Sequence, residues 1–177
     1  GGRGRSAAQV TPADAASLLV VVAGAPATGP SVTVALDTLA QFGVLRAKVS
    51  KPKPPLDDFL RDHDTFGAIE KQSPTLAKLK RRHTLHSALA AMIEAAIRDE
   101  IWEYPSRIQE RTAKCFISLE GPHPRASIGV SALRIQTSVN LRYESVAERQ
   151  YSDLFWKRTF TGRTITRIAD LLSQGSK

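Results

Sequence analysis

With 177 residues and 42% hydrophobic content, the chain is long enough for one well-packed domain and short for two. Its single cysteine, Cys115, excludes an intrachain disulfide and a cysteine-based zinc cluster. Twenty-five basic against 17 acidic residues give a formal charge of +8, so the surface should attract a polyanion: nucleic acid, anionic membrane or an acidic protein.

The chain opens Gly1-Gly-Arg-Gly-Arg5 without methionine, as a processed or excised chain would. Residues 1–16 are small and polar with two arginines, too poor in apolar surface to offset their ordering entropy. A flexible basic arm is predicted there. Leu18 to Val22 is a continuous apolar run that reads as a strand buried on both faces. A turn, Gly24-Ala-Pro-Ala-Thr-Gly-Pro-Ser31, follows it, and then Val32, Leu36 and Leu39 recur at helical spacing, with Ser31 as cap and Gly43 as stop. Val44 to Val49 predicts a short strand, ended by the proline-rich connector Lys51-Pro-Lys-Pro-Pro55.

Ser73-Pro74 is a capping and first-turn pair, from which one long helix is predicted to about Glu103. Its apolar stripe takes in Leu85, Leu89, Met92, Ile93, Ala96 and Ile97, and Lys78, Lys80, Arg81, Arg82 and His83 crowd its N-terminal half. Cations there oppose the helix dipole, which calls for a negative neighbour. Thr112 to Leu119 predicts a strand, joined through Gly121-Pro-His-Pro124 to a long strand in which Leu133, Ile135, Thr137, Val139, Leu141 and Tyr143 alternate with polar residues. Leu154 to Phe160 and Arg163 to Ile168 flank Gly162 as a second hairpin. The sum is an α+β fold: a single domain over 17–172, its helices mainly in the first half and packed on an antiparallel sheet from the second, with 173–177 as a flexible tail. No internal repeat is present. No apolar stretch reaches the roughly 20 residues that span a bilayer, so an intracellular protein, soluble or peripheral to a membrane, is expected.

Gly24, Gly29 and Ser31 resemble the phosphate loop of P-loop NTPases and small kinases, in which a strand precedes the loop and a helix follows. Pro30 stands where that family has its lysine, and it lacks an amide hydrogen as well. The resemblance implies a nucleotide-binding phosphotransferase with a degenerate loop; ordinary capping chemistry implies only a turn. Asp57, Asp58, Asp62, His63 and Asp64 form a dense acidic cluster of the type hard cations prefer, and also of the type a helix N-terminus prefers. His83 and His86 lie three apart without the glutamate of a metalloprotease motif. Cys115 sits in a predicted strand, where a thiol acts as a small apolar group. Neither a complete catalytic constellation nor a cofactor or metal site is read from these residues.

The basic residues are more numerous. Arg46, Lys48, Lys51 and Lys53 precede or interrupt the prolines, Lys78, Lys80, Arg81 and Arg82 lie on the predicted helix, and Arg134 and Arg142 mark the polar face of the long strand. Separate segments of this kind can converge on one surface, where clustering strengthens phosphate binding through counterion release. The expectation is a non-enzymatic basic structural or adaptor protein that self-associates and binds a nucleic-acid backbone or an anionic membrane. In composition it resembles small viral matrix or nucleocapsid proteins. A protein-interaction module, docking through the proline-rich segment or the long strand, is the other binding alternative.

Overall fold

Thr11 opens the first helix. Its hydroxyl accepts from the Asp14 amide at 3.2 Å and the Asp14 carboxylate accepts in return from the Thr11 amide at 2.9 Å, a reciprocal cap with Pro12 in the first turn. In the computed structural model, which describes residues 9–25, 31–48, 61–63, 65–71, 73–100, 114–132, 137–144 and 155–175, this helix is α1 (Pro12–Gly24). It begins inside the stretch predicted as an arm and runs through Leu18 to Val22, correcting the strand predicted there. The capping box and the buried positions Ala15, Ala16, Val20 and Ala23 decide for a helix, one face of which enters the core.

Helix α2 (Val32–Thr38) is capped as expected, the Ser31 hydroxyl accepting from the Val34 amide at 3.3 Å, and continues as a wider helical turn to Gly43. It leaves Val32 and Leu36 exposed and buries Thr38 and Phe42 against α1. The strand predicted from Val44 is only β1 (Arg46–Ala47). Residues 49–60 lie outside the described residues, and β2 (Arg61–His63) follows them.

The long helix predicted from Ser73 is two helices. α3 (Pro74–Ala77) is capped by Ser73, and α4 (Leu85–Ile97) starts afresh at Thr84, whose hydroxyl accepts from the Ser87 amide while the Ser87 hydroxyl reciprocates. The basic run Lys78 to Arg82 is the joint between them, not a helical face. Glu100, beyond α4, closes the angle by accepting from the Ser73 hydroxyl at 3.0 Å, the Thr75 amide at 2.9 Å and the Thr75 hydroxyl at 2.7 Å.

Four longer strands follow: β3 (Lys114–Gly121), β4 (Arg125–Ala132), β5 (Thr137–Glu144) and β6 (Trp156–Thr161). The sheet order is β1-β5-β4-β3-β6, all antiparallel, with β2 parallel to the other end of β5. β4 fills a stretch in which no strand is predicted. Its buried Ala126, Ile128 and Val130 alternate with Ser127 and Gly129. The second hairpin is corrected too, because β6 runs into a helix, α5 (Gly162–Gly175). Ile165, Ile168, Ala169 and Leu172 recur at helical spacing and meet the core, which a strand would not allow. That helix occupies most of the predicted tail.

Cys115, Ile117 and Leu119 of β3, Val139, Leu141 and Tyr143 of β5, and the buried positions of β4 share one face, packed beneath α1, α4 and α5. The other face presents Phe116, Ser127, Asn140 and Arg142. The fold is therefore a single-domain α+β arrangement with helices mostly in the first half, one helical layer over an antiparallel sheet, as the sequence implied.

Candidate polyanion-binding edge

The two residues of β1 join distant parts of the chain. On one side Arg46 and Ala47 pair with Glu144 and Tyr143 of β5, and the Lys48 amide donates to the Arg142 carbonyl at 2.7 Å. On the other, the Ala47 amide donates to the His83 carbonyl at 3.0 Å, the Leu85 amide donates to Leu45 at 2.8 Å, and Arg46 bridges Thr84. The α3–α4 joint thereby becomes the outermost ribbon of the sheet edge.

His83 fastens this ribbon from beneath. Its Nδ1 lies 2.8 Å from the Lys80 carbonyl, which can only accept, so Nδ1 carries the proton and Nε2, 2.7 Å from the Tyr143 hydroxyl, accepts. Phe66 packs on the same ring, with centroids 5.7 Å apart. Burial lowers the imidazole pKa, against a smaller upward pull from the Lys80 carbonyl, and burial pushes the Tyr143 hydroxyl well above its ordinary range. Both groups thus stay neutral near pH 7.

Leu45 and Ala47 are buried while Arg46 and Lys48 are exposed, so the period of two turns both cations to the side that carries Arg142 and Glu144. Lys80, Arg81 and Arg82 are exposed in the adjoining joint. Six of the predicted basic residues, Arg46, Lys48, Lys80, Arg81, Arg82 and Arg142, are therefore brought to one edge. Lys78 is exposed at the end of α3, and Lys51, Lys53 and Arg134 lie outside the described residues. Glu144 sits among the cations and holds Lys48 at 3.0 Å.

Register adds a residue that the sequence reading did not single out. Lys157, Glu120, Arg125, Glu144 and Arg46 stand opposite one another across successive strands, alternating in sign, with Lys157 and Glu120 in a 2.9 Å ion pair. Arg125 belongs to the same outer face through this row. Its signal was the pairing register, which no local pattern contains.

The strand that the phosphate-loop resemblance requires before it is replaced by a helix. A helix, α1, ends at Gly24, so carbonyl groups rather than amides face the loop, and the Arg158 guanidinium already donates to those of Val22, Ala23 and Ala25. Ser31 caps α2, and Gly29 lies outside the described residues. The histidine pair also separates: His86 Nε2 lies 2.9 Å from the Ser17 hydroxyl and 3.1 Å from the Ala13 carbonyl. Asp57, Asp58 and Asp64 fall outside the described residues, and among the described residues no group of three His, Cys, Asp or Glu side chains could hold a metal. Cys115 is buried in β3, and its thiol pKa is pushed up to about 12, which suits packing rather than nucleophilic attack. Among the described residues, no helix is long and apolar enough to cross a membrane. Compared with known proteins, the chain matches no family model, no curated protein and no solved structure.

Proposed function

We propose that this protein is a non-enzymatic structural or adaptor protein that binds a polyanion along the edge formed by β1, the end of β5 and the α3–α4 joint. The observation that supports the reading is the backbone strip at residues 45–48, which gathers six cations from three separated segments around Glu144. Cations clustered at this density release condensed counterions when a chain of phosphates docks, and the gain grows with each contact.

The experiment is a salt titration of binding to single-stranded RNA and to phosphatidylserine vesicles, comparing the protein with a quadruple variant Arg46→Glu, Lys80→Glu, Arg82→Glu, Arg142→Glu. All four residues are exposed, so the fold should survive. The parent should bind with a steep salt dependence, and the variant should lose up to about 3 units of log-log slope with RNA, at roughly 0.7 per phosphate contact. Equal, salt-insensitive behaviour of both proteins with both probes would sink the proposal.

Self-association has its own support. Leu18 and Val22 on α1, and Val32 and Leu36 on α2, are each 61–79% exposed and one helical turn apart. Apolar positions grouped in this way mark contact surfaces. Leu18→Lys with Leu36→Lys should shift the sedimentation profile toward the monomer, and a parent that is monomeric at every concentration would remove this part of the reading.

A further inference from the structure

Among the described strand residues, the outer face of the sheet carries one aromatic side chain amid polar and charged ones. Phe116 is 45% exposed on β3, in register with Thr161 on one side and Gly129 on the other, with Asn140 beyond. Gly129 lets the ring lie down. Its Cζ and Cε1 occupy the space that a β-carbon on Gly129 would need, so the side chain leans across β4 instead of standing out from the sheet. The next row holds Thr159, Ser118, Ser127 and Arg142, with the two serine hydroxyls 2.7 Å apart, and the row after it is the charged one that ends at Arg46.

These rows combine two chemistries. Strands are about 4.8 Å apart and rows about 6.8 Å apart, which sets Arg142 roughly 12 Å from Phe116. That is within the reach of a few nucleotides. A flat apolar ring attracts a flat apolar partner, and the cations of the adjoining edge attract phosphate. Short hydroxyl side chains between them leave the strand path unobstructed.

We infer that the polyanion is a single-stranded nucleic acid, which lies across the outer face with one base stacked on Phe116 and its phosphates running toward Arg142 and the basic edge. This rests on the proposed polyanion-binding reading and gives it a ligand. Lying flat against β4, the ring offers a face to stack on and not a tip to insert among lipid chains, and a duplex hides the faces of its bases. Exposure of the ring on a face that also bears the charge therefore favours the unpaired strand.

The test uses the full chain, a short oligoadenylate, inorganic polyphosphate and phosphatidylserine vesicles. Phe116→Leu still covers Gly129 but cannot stack. It should lose about tenfold in affinity for the oligoadenylate, the equivalent of stacking one base, and bind polyphosphate as the parent does. Phe116→Trp should keep the affinity and add to the fluorescence of Trp102 and Trp156 a component, absent from the parent, that the oligoadenylate quenches and polyphosphate does not. This second variant decides the matter if the first fails to fold.

Undiminished oligoadenylate binding by Phe116→Leu, or an unquenched tryptophan, would overturn the stacking platform while the basic edge stood on its polyphosphate binding. Binding to vesicles without binding to oligoadenylate would overturn the nucleic-acid assignment. Failure of polyphosphate, oligoadenylate and vesicles alike would overturn the underlying reading with it.

Discussion

Gly24 shows how one residue can carry two meanings. Read in sequence, it is the first glycine of a phosphate loop; in the fold it is where α1 meets α2. A β-carbon there would stand 2.6 Å from Thr38 Cγ2 and 3.1 Å from a Phe42 ring carbon. Thr38 cannot swing aside freely, because it is buried and its hydroxyl donates to the Val34 carbonyl at 2.7 Å. Overpacking of this kind costs about 1–3 kcal/mol, against a gain of up to ~1 kcal/mol from replacing glycine in a helix. Gly24→Ala should therefore lower Tm by several degrees in calorimetry, and magnesium-ATP should leave the Tm of both proteins where it was. An unchanged Tm in the variant would remove the packing argument, and an ATP-dependent rise would revive the nucleotide reading. Arg158 is the complementary case, a cation that binds inward. Its guanidinium serves the α1 carbonyls and lies 5.3 Å from the Trp156 ring centre. Arg158→Met keeps the stem and loses the charge, so urea unfolding should show a loss of about 1.5–3 kcal/mol, while oligonucleotide affinity holds. A drop in affinity without a drop in stability would place Arg158 on the ligand side instead.

At the scale of elements, signals that are local were legible and signals set by neighbours were not. Ser31 and Ser73-Pro74 start helices because a side-chain oxygen reaches an amide within its own turn, and the Val139 to Tyr143 alternation needs only a strand's period of two. Thr84 is equally local, yet the long helix was read through it. Leu76 and Leu85 are both fully buried, and an apolar stripe does not reveal that the chain turns between them. Arg163 to Ile168 is rich in threonine and isoleucine, which favour strands; Ala169 and Leu172, outside that window, complete the stripe that docks α5 on the core. Thr84→Ala tests the restart directly. It removes the acceptor for the Ser87 amide and should cost about 1 kcal/mol, read as a lower urea midpoint. It should also weaken polyanion binding, since a frayed first turn of α4 slackens the joint whose backbone bridges Arg46 at Thr84. Stability and affinity both at parental values would show that the joint is held without this cap.

For the whole molecule, the candidate edge was legible as an inventory and not as a place. Charge alone named Arg46, Lys48, Lys80, Arg81, Arg82 and Arg142; only tertiary pairing through residues 45–48 brings the segments that carry them to one edge, and pairing of that range leaves no periodic trace in any one segment. The same pairing makes overall stability answer to pH through His83, which sits under the edge with the Tyr143 hydroxyl on one nitrogen and the Lys80 carbonyl on the other. Burial lowers its folded pKa below the ordinary 6.5, so on acidification the unfolded chain takes up the proton first. Its contribution is therefore intact above about pH 6.5 and declines as pH falls from there through the lowered folded value. Burial alone would raise the Glu100 pKa, but its hydrogen bonds from Thr75 and Ser73, helped by the charge of Arg98, outweigh that and bring it below 4.5. The Asp14 pKa is held below 3.8 by the Thr11 amide and hydroxyl. Their contributions persist above those values and vanish beneath them, where the growing positive charge adds self-repulsion. The urea midpoint should accordingly be level above pH 7, decline once below about 6.5 and again below about 4.5. His83→Gln retains a side-chain donor and acceptor without titrating, so it should lower the plateau and abolish the first decline while leaving the second. A first decline that survives in His83→Gln would assign it to another histidine and detach the pH response from the edge.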